Sequence, residues 1–330
     1  MKNIVRTFGI LVAGLLFAGV TAHAENPFVG HWALTLPGGG AGWLGVEEKD
    51  GKLAGSILWG GGSVVPVTGT AVEGDKLFVK REYHDKMKQA DGSEKDVRTI
   101  ETITATLTGD ALKLATARTK DDGKEFGQAV FAGKKIPPVP PAPDLAKVKF
   151  GDAIPLLNGK DLTGWRLLEP NADNGWSVKD GVLMNRVEKG KHHGNLRTDA
   201  EFEDFNITLD VRTLPGSNSG VYLRGIYECQ VFESFGKPLD SHNMGAIYSR
   251  ITPTVAAEKP VGEWQTMDIT LVDRHATVIL NGKKIIDNQP LLGCTGGAMT
   301  SDEFKPGPIY LQGDHSNIDY RNIVLRPVVK

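Results

Sequence analysis

Asn218-Ser219-Gly220-Val221-Tyr222-Leu223-Arg224 and, shortly after it, Tyr227-Glu228-Cys229-Gln230-Val231-Phe232 decide how this chain is read. Both are short runs of β-branched and aromatic residues in which polar side chains recur at alternate positions. A period of two places Tyr222 and Arg224 on one face of the first run, and Glu228 and Gln230 on one face of the second. Leu223, Val231 and Phe232 make the remaining surface apolar. A charge there is costly without a partner or a cavity. Arg224 and Glu228 therefore read either as an ion pair joining two strands or as members of a cleft.

The same rhythm continues outward. Residues 206–211, 246–251, 265–271, 276–280, 284–287, 309–312 and 322–327 read as strands, and Asn281-Gly282 is a strong hairpin turn. Helical periodicity is nearly absent, which disfavours parallel α/β folds and their nucleotide sites. The pattern predicts an all-β protein whose larger part is two packed antiparallel sheets of jelly-roll type.

Upstream, Ile136-Pro137-Pro138-Val139-Pro140-Pro141-Ala142-Pro143 favours an extended polyproline conformation and reads as a linker over 136–146. It separates a segment 25–135 from a segment 147–330. The first has short β-like runs between turns such as Lys49-Asp50-Gly51 and Thr108-Gly109-Asp110, predicting a small antiparallel barrel or sandwich. Trp32, Trp43 and Trp59 are either a binding surface or packing residues. Gly38-Gly39-Gly40 and Gly60-Gly61-Gly62 lack the lysine and the strand-to-helix setting of a phosphate loop, so this segment receives no chemistry.

Lys2 and Arg6 precede an apolar run over 8–20 that ends in Thr21-Ala22-His23-Ala24, the pattern of a signal peptide over 1–24. The reading expects export to a periplasm or medium, with no lipid or membrane anchor. A net charge of −2 gives no electrostatic reason to bind nucleic acid, and the 2 cysteines exclude a thiolate scaffold. Export would permit a Cys229–Cys294 disulfide, but two buried thiols fit equally.

Several blocks in 147–330 resemble the bacterial 3-keto-disaccharide hydrolase domain family. Leu156-Leu157-Asn158-Gly159-Lys160-Asp161-Leu162-Thr163-Gly164-Trp165 is similar to its opening motif. Trp176-Ser177-Val178-Lys179-Asp180-Gly181, Gly194-Asn195-Leu196-Arg197-Thr198 and the strand Asn218–Arg224 with Tyr227-Glu228-Cys229-Gln230-Val231 follow in order. Gly245-Ala246-Ile247-Tyr248, Gly262-Glu263-Trp264 and Leu311-Gln312-Gly313-Asp314-His315 complete the series. Glu233 stands where the family usually shows aspartate, and Gln265 where it shows asparagine. The resemblance implies a concanavalin A-like jelly roll that cleaves glycosides already oxidised at C3. The chain has no dinucleotide fingerprint, so a separate oxidoreductase is expected to supply the ketone.

A 3-ketone acidifies the C2 proton. A base can remove it, the anomeric oxygen can leave, and water can then add. Such a path needs a base, an acid and positive charge near the carbonyl oxygen. Glu228 and His315 are the candidate base and acid, and Arg224 the candidate electrophile. Gln230, Glu233, Tyr222, Tyr248, Gln312 and His193 are candidate substrate-binding residues. A divalent ion held by His193, Glu228 or His315 would serve the same charge, although no dedicated metal motif is present. Two further readings stay open. Glu228 and Glu233 could form a laminarinase-like glucanase pair if a β-bulge brought both to one face. The jelly roll could also be a noncatalytic carbohydrate-binding module.

Overall fold

The computed structural model describes residues 26–89, 91–120 and 123–329. The expected signal peptide lies outside the described residues. All regular structure among them is β-strand, and no helix there is long and apolar enough to cross a membrane.

The first unit is an antiparallel meander of nine strands from Gly30–Thr35 to Glu125–Ile136. Its two ends meet. Val65–Pro66 pairs with Lys52–Trp59, and Gly69–Glu73, a few residues on, pairs with Lys76–Lys88. Backbone bonds from Val67 to Gly55 and from Thr68 to Lys80 carry the chain across, so the sheet closes as a barrel and not as a sandwich. Alternate residues of Glu94–Thr108 point inward, where Ile103 and Ala105 join Trp32, Leu34, Leu44 and Leu114 in the barrel core. The inward Glu101 is buried, and its carboxylate is held by Arg81, Arg118 and Thr116.

The second unit has two antiparallel sheets. One has eight strands around Phe205–Thr213 and Ile318–Pro327, and the other has five around Asn218–Leu223 and Tyr227–Phe232. Strict alternation in Phe205–Thr213 buries Phe205, Ile207, Leu209 and Val211. These share one apolar cluster with Val221, Leu223, Cys229 and Val231 of the smaller sheet. This is the concanavalin A-like jelly roll. Cys229 and Cys294 are free, buried thiols, each close to a backbone carbonyl, Gly245 and Gly42 respectively.

The two units pack against each other. Ala33, Ala41, Trp43, Leu58 and Ile136 of the barrel belong to the same buried cluster as the jelly-roll core. Trp43 seats on Gly293, where a Cβ would lie 2.2 Å from the indole. The Arg250 guanidinium covers the other contact, 4.5 Å from the ring centroid. The proline-rich segment lies along the jelly roll, with Arg274 donating to the Pro137 and Pro138 carbonyls and Asn288 to that of Pro143.

Candidate active site

Antiparallel pairing sets Tyr222 opposite Glu228, Gly220 opposite Gln230, and Tyr222 opposite Tyr310 on its other side. Because neighbours on one strand alternate, Cys229 and Val231 enter the inter-sheet core while Glu228 and Gln230 turn to the outer face. A cavity of about 330 Å³ opens there, at the small end of the range for small-molecule sites. Tyr222, Glu228, Gln230, Tyr310 and Gln312 line it, with Glu169, Asn195, Tyr248, Asp314 and His315 around the rim.

Glu228 is 3 % exposed. Its Oε2 lies 2.9 Å from the Tyr222 hydroxyl, which also lies 2.7 Å from the Gly296 carbonyl oxygen. A phenol has one proton and a carbonyl can only accept. That single proton can go to either acceptor, and where it goes to Glu228 it favours the charged carboxylate. Burial pushes the Glu228 carboxyl up to about 8, the Tyr222 hydrogen bond opposes that shift, and the negative charge of Asp314 adds to it. Room for the carboxyl comes from Gly220, where a Cβ would sit 2.3 Å from Glu228 Oε1. Tyr222 is stacked on Tyr310 with ring centroids 4.2 Å apart, which holds the phenol in place.

His315 sits on the cleft rim with Nδ1 2.5 Å from Asp314 Oδ1, and this hydrogen bond raises the imidazole above its ordinary 6.5 against the opposing effect of burial. Asn195 ties the polar wall together: it donates to Glu169 from its backbone and side-chain nitrogens and accepts from Gly313 N. Gln230 Oε1 accepts from Val231 N, leaving Nε2 as its donor, and Gln312 Oε1 is buried without a partner.

Three expected site residues are elsewhere. Arg224 does not share the face of Tyr222, because the strand ends at Leu223 and Arg224 adopts φ 57° in the following turn. That rotation sends its guanidinium to the carbonyls of Glu303 and Lys305, so neither the expected electrophile nor the Arg224–Glu228 pair forms. Glu233 follows the end of the strand Tyr227–Phe232, which pairs without a bulge, and its Oε2 accepts from Gly216 N away from the cavity. The glucanase pair is therefore not assembled. His193 is buried in a loop contact where Nε2 accepts from Glu188 N. Glu228, His315, Gln230, Tyr222, Tyr248 and Gln312 are brought together at the cavity. Among the described residues no three His, Cys, Asp or Glu side chains gather as a metal site, so His193, Glu228 and His315 do not form one.

Tyr310 and Glu169 line the cavity outside the motifs quoted above, and Asn195 and Asn218 line it from motifs in which they were given no role. Tyr310 precedes Gln312 by two residues, so strand alternation from Gln312 was a signal for it. Glu169 had none, since a loop brings it in.

A buried carboxyl of raised pKa beside a polar wall, on the outer face of a jelly-roll sheet, fits a carbohydrate-active protein of glycosyl hydrolase type. Residues 152–326 match the 3-keto-alpha-glucoside-1,2-lyase-like domain, and the chain belongs to that family. Solved structures similar to this chain include a candidate glycosyl hydrolase from Parabacteroides distasonis, at 31 % identity and TM-score 0.45, covering 59 % of this chain and 94 % of that one. A second candidate glycosyl hydrolase from the same organism is similar at 28 % identity and TM-score 0.41, covering 54 % of this chain and 100 % of that one. A carbohydrate-binding module from Bacillus subtilis shows 14 % identity and TM-score 0.34, covering 50 % and 95 %. Comparison with curated proteins finds no match.

Proposed function

We propose that the protein cleaves the glycosidic bond of 3-keto-glycosides, with Glu228 as the acid that protonates the leaving oxygen. The observation that carries this reading is the burial of the Glu228 carboxyl at the cavity. An acid must hold its proton at working pH, and burial provides that. His315, its basicity raised by Asp314, is the base that takes the C2 proton. The C2–H electron pair forms the C1–C2 double bond, the C1–O bond breaks, and the departing oxygen takes the Glu228 proton. Addition of water across the double bond completes a net hydrolysis. The Gln230 Nε2 donor and the unpartnered Gln312 Oε1 orient sugar hydroxyls. The ketone is supplied by a separate oxidoreductase, and the expected export places the reaction outside the cytoplasm.

The test is aglycone release from a glucoside and from its 3-keto derivative, with and without chelator. Release from the keto substrate alone supports the reading, and loss with chelator adds a metal to it. Release from both substrates would replace it with ordinary glycoside hydrolysis, and binding without release from either with a lectin-like role.

A further inference from the structure

The barrel contributes one residue to the cleft. Gly61, in the turn after Lys52–Trp59, lines the same cavity as Glu228, although it belongs to the other unit of the fold. Its neighbours bring it there. A Cβ on Gly296 would lie 2.3 Å from the Gly62 carbonyl oxygen and 2.9 Å from that of Gly61, so the two backbones touch. Ser63 Oγ is 2.9 Å from His242 Nε2, and Val64 N donates to Ser249 Oγ. His242 in turn packs edge-on against Tyr248, a cleft residue. The turn is thus pinned at both sides of the segment that carries Tyr248 and against the segment that carries Gly296.

The walls of the cleft differ. Glu169, Asn195, Asp314 and His315 form a hydrogen-bonded polar side suited to hydroxyls. Gly61, Gly296, Gly297, Ala298 and Met299 form a side without a charged side chain. Tyr222 touches both Glu228 and Gly296, so the acid lies next to the uncharged side. An acid stands beside the oxygen it protonates, which places the departing group on that side.

We infer that the Gly60-Gly61-Gly62 turn of the barrel is the outer wall of a leaving-group subsite, which takes an uncharged aglycone and whose size is set by the missing side chain at Gly61. The inference rests on the 3-keto-glycoside reading. A Cβ at Gly61 meets no atom within 4 Å and its φ is not positive, so a side chain fits there without strain.

The experiment compares the full chain with Gly61→Ala and Gly61→Phe on phenyl and methyl 3-keto-glucosides, with thermal melts to confirm folding. The ratio of kcat/KM for phenyl over methyl is expected to fall at least tenfold in Gly61→Phe and less in Gly61→Ala. An unchanged ratio, or equal losses on both substrates, would overturn the subsite. If the unsubstituted protein cleaves neither compound, the functional reading fails instead. The same affinity ratio measured by calorimetry then decides the subsite: a tenfold fall keeps the turn as a binding wall, and no change removes it.

Discussion

The Tyr222 hydroxyl stands between the Glu228 carboxyl, at 2.9 Å, and the Gly296 carbonyl, at 2.7 Å. One proton cannot serve both acceptors at once, and burial pushes the Glu228 carboxyl up to about 8. The strand Tyr227–Phe232 supplies the carboxyl, the strand Asn218–Leu223 the phenol, and a loop against the barrel the carbonyl.

Glu228→Gln is expected to lower turnover of a 3-keto-glycoside by about 10²–10⁴-fold, the range for loss of a general acid. Stability should respond in the opposite sense. The folded carboxyl titrates near 8 and the unfolded one near 4.5, so the native state holds a proton the unfolded chain releases. That stability is complete below 4.5 and is lost as pH rises towards 8. Chemical denaturation at several pH values should show this decline in the parent protein and a flatter profile in the variant.

Activity should follow a bell. The acid limb reports loss of the His315 proton, above its ordinary 6.5, and the alkaline limb reports loss of the Glu228 proton, near 8. In Asp314→Asn the hydrogen bond that raises His315 is gone, so the acid limb moves to lower pH. The Asp314 charge also raises Glu228, so the alkaline limb moves down with it. A pH–rate profile in which neither limb moved would remove the dyad.

Tyr222→Phe removes the hydrogen bond that lowers the Glu228 pKa, so the alkaline limb should move to higher pH. It also leaves the Gly296 carbonyl without its donor, at a cost of about 1–3 kcal/mol for a buried group. A parallel melt and pH–rate profile separate the two effects, since a merely structural role would lower the melting temperature without shifting the limb.

Gly220→Ala introduces a Cβ where Glu228 Oε1 lies 2.3 Å away. The carboxyl must leave its site, and turnover should drop by roughly tenfold or more, consistent with a displaced acid. Retained turnover would show that Glu228 acts from another position.

Trp43→Ala empties a large buried contact between the two units. A buried indole replaced by alanine costs about 3–5 kcal/mol. Since Trp43 packs on Gly293 and Arg250, this loss should separate barrel and jelly-roll unfolding into two calorimetric transitions.

Most strand runs were legible because alternation is a local property, although 246–251 is a turn with isolated bridges and not a strand. From it came the all-β class, the hairpins and the shared face of Glu228 and Gln230, while the proline-rich stretch marked the two units. His315, Gln312 and Tyr248 were legible through the family motifs that contain them. Arg224 was misplaced because one left-handed residue ends the alternation, and a φ of 57° leaves no mark in an arginine. Glu233 fails for a related reason: a bulge was needed, and pairing through Phe232 has none.

By itself, then, the sequence determined what hydrophobic period and turn chemistry can encode: the sheets, their faces and the carboxyl that a strand turns outward. Only the tertiary structure decided the raised pKa of Glu228, because burial and the Tyr222–Gly296 contact arise between segments 74 residues apart. It alone also brought Gly61 of the barrel to the cleft. That placement depends on the backbone approach to Gly296 and on Trp43 seating on Gly293, contacts between distant segments that no local pattern records.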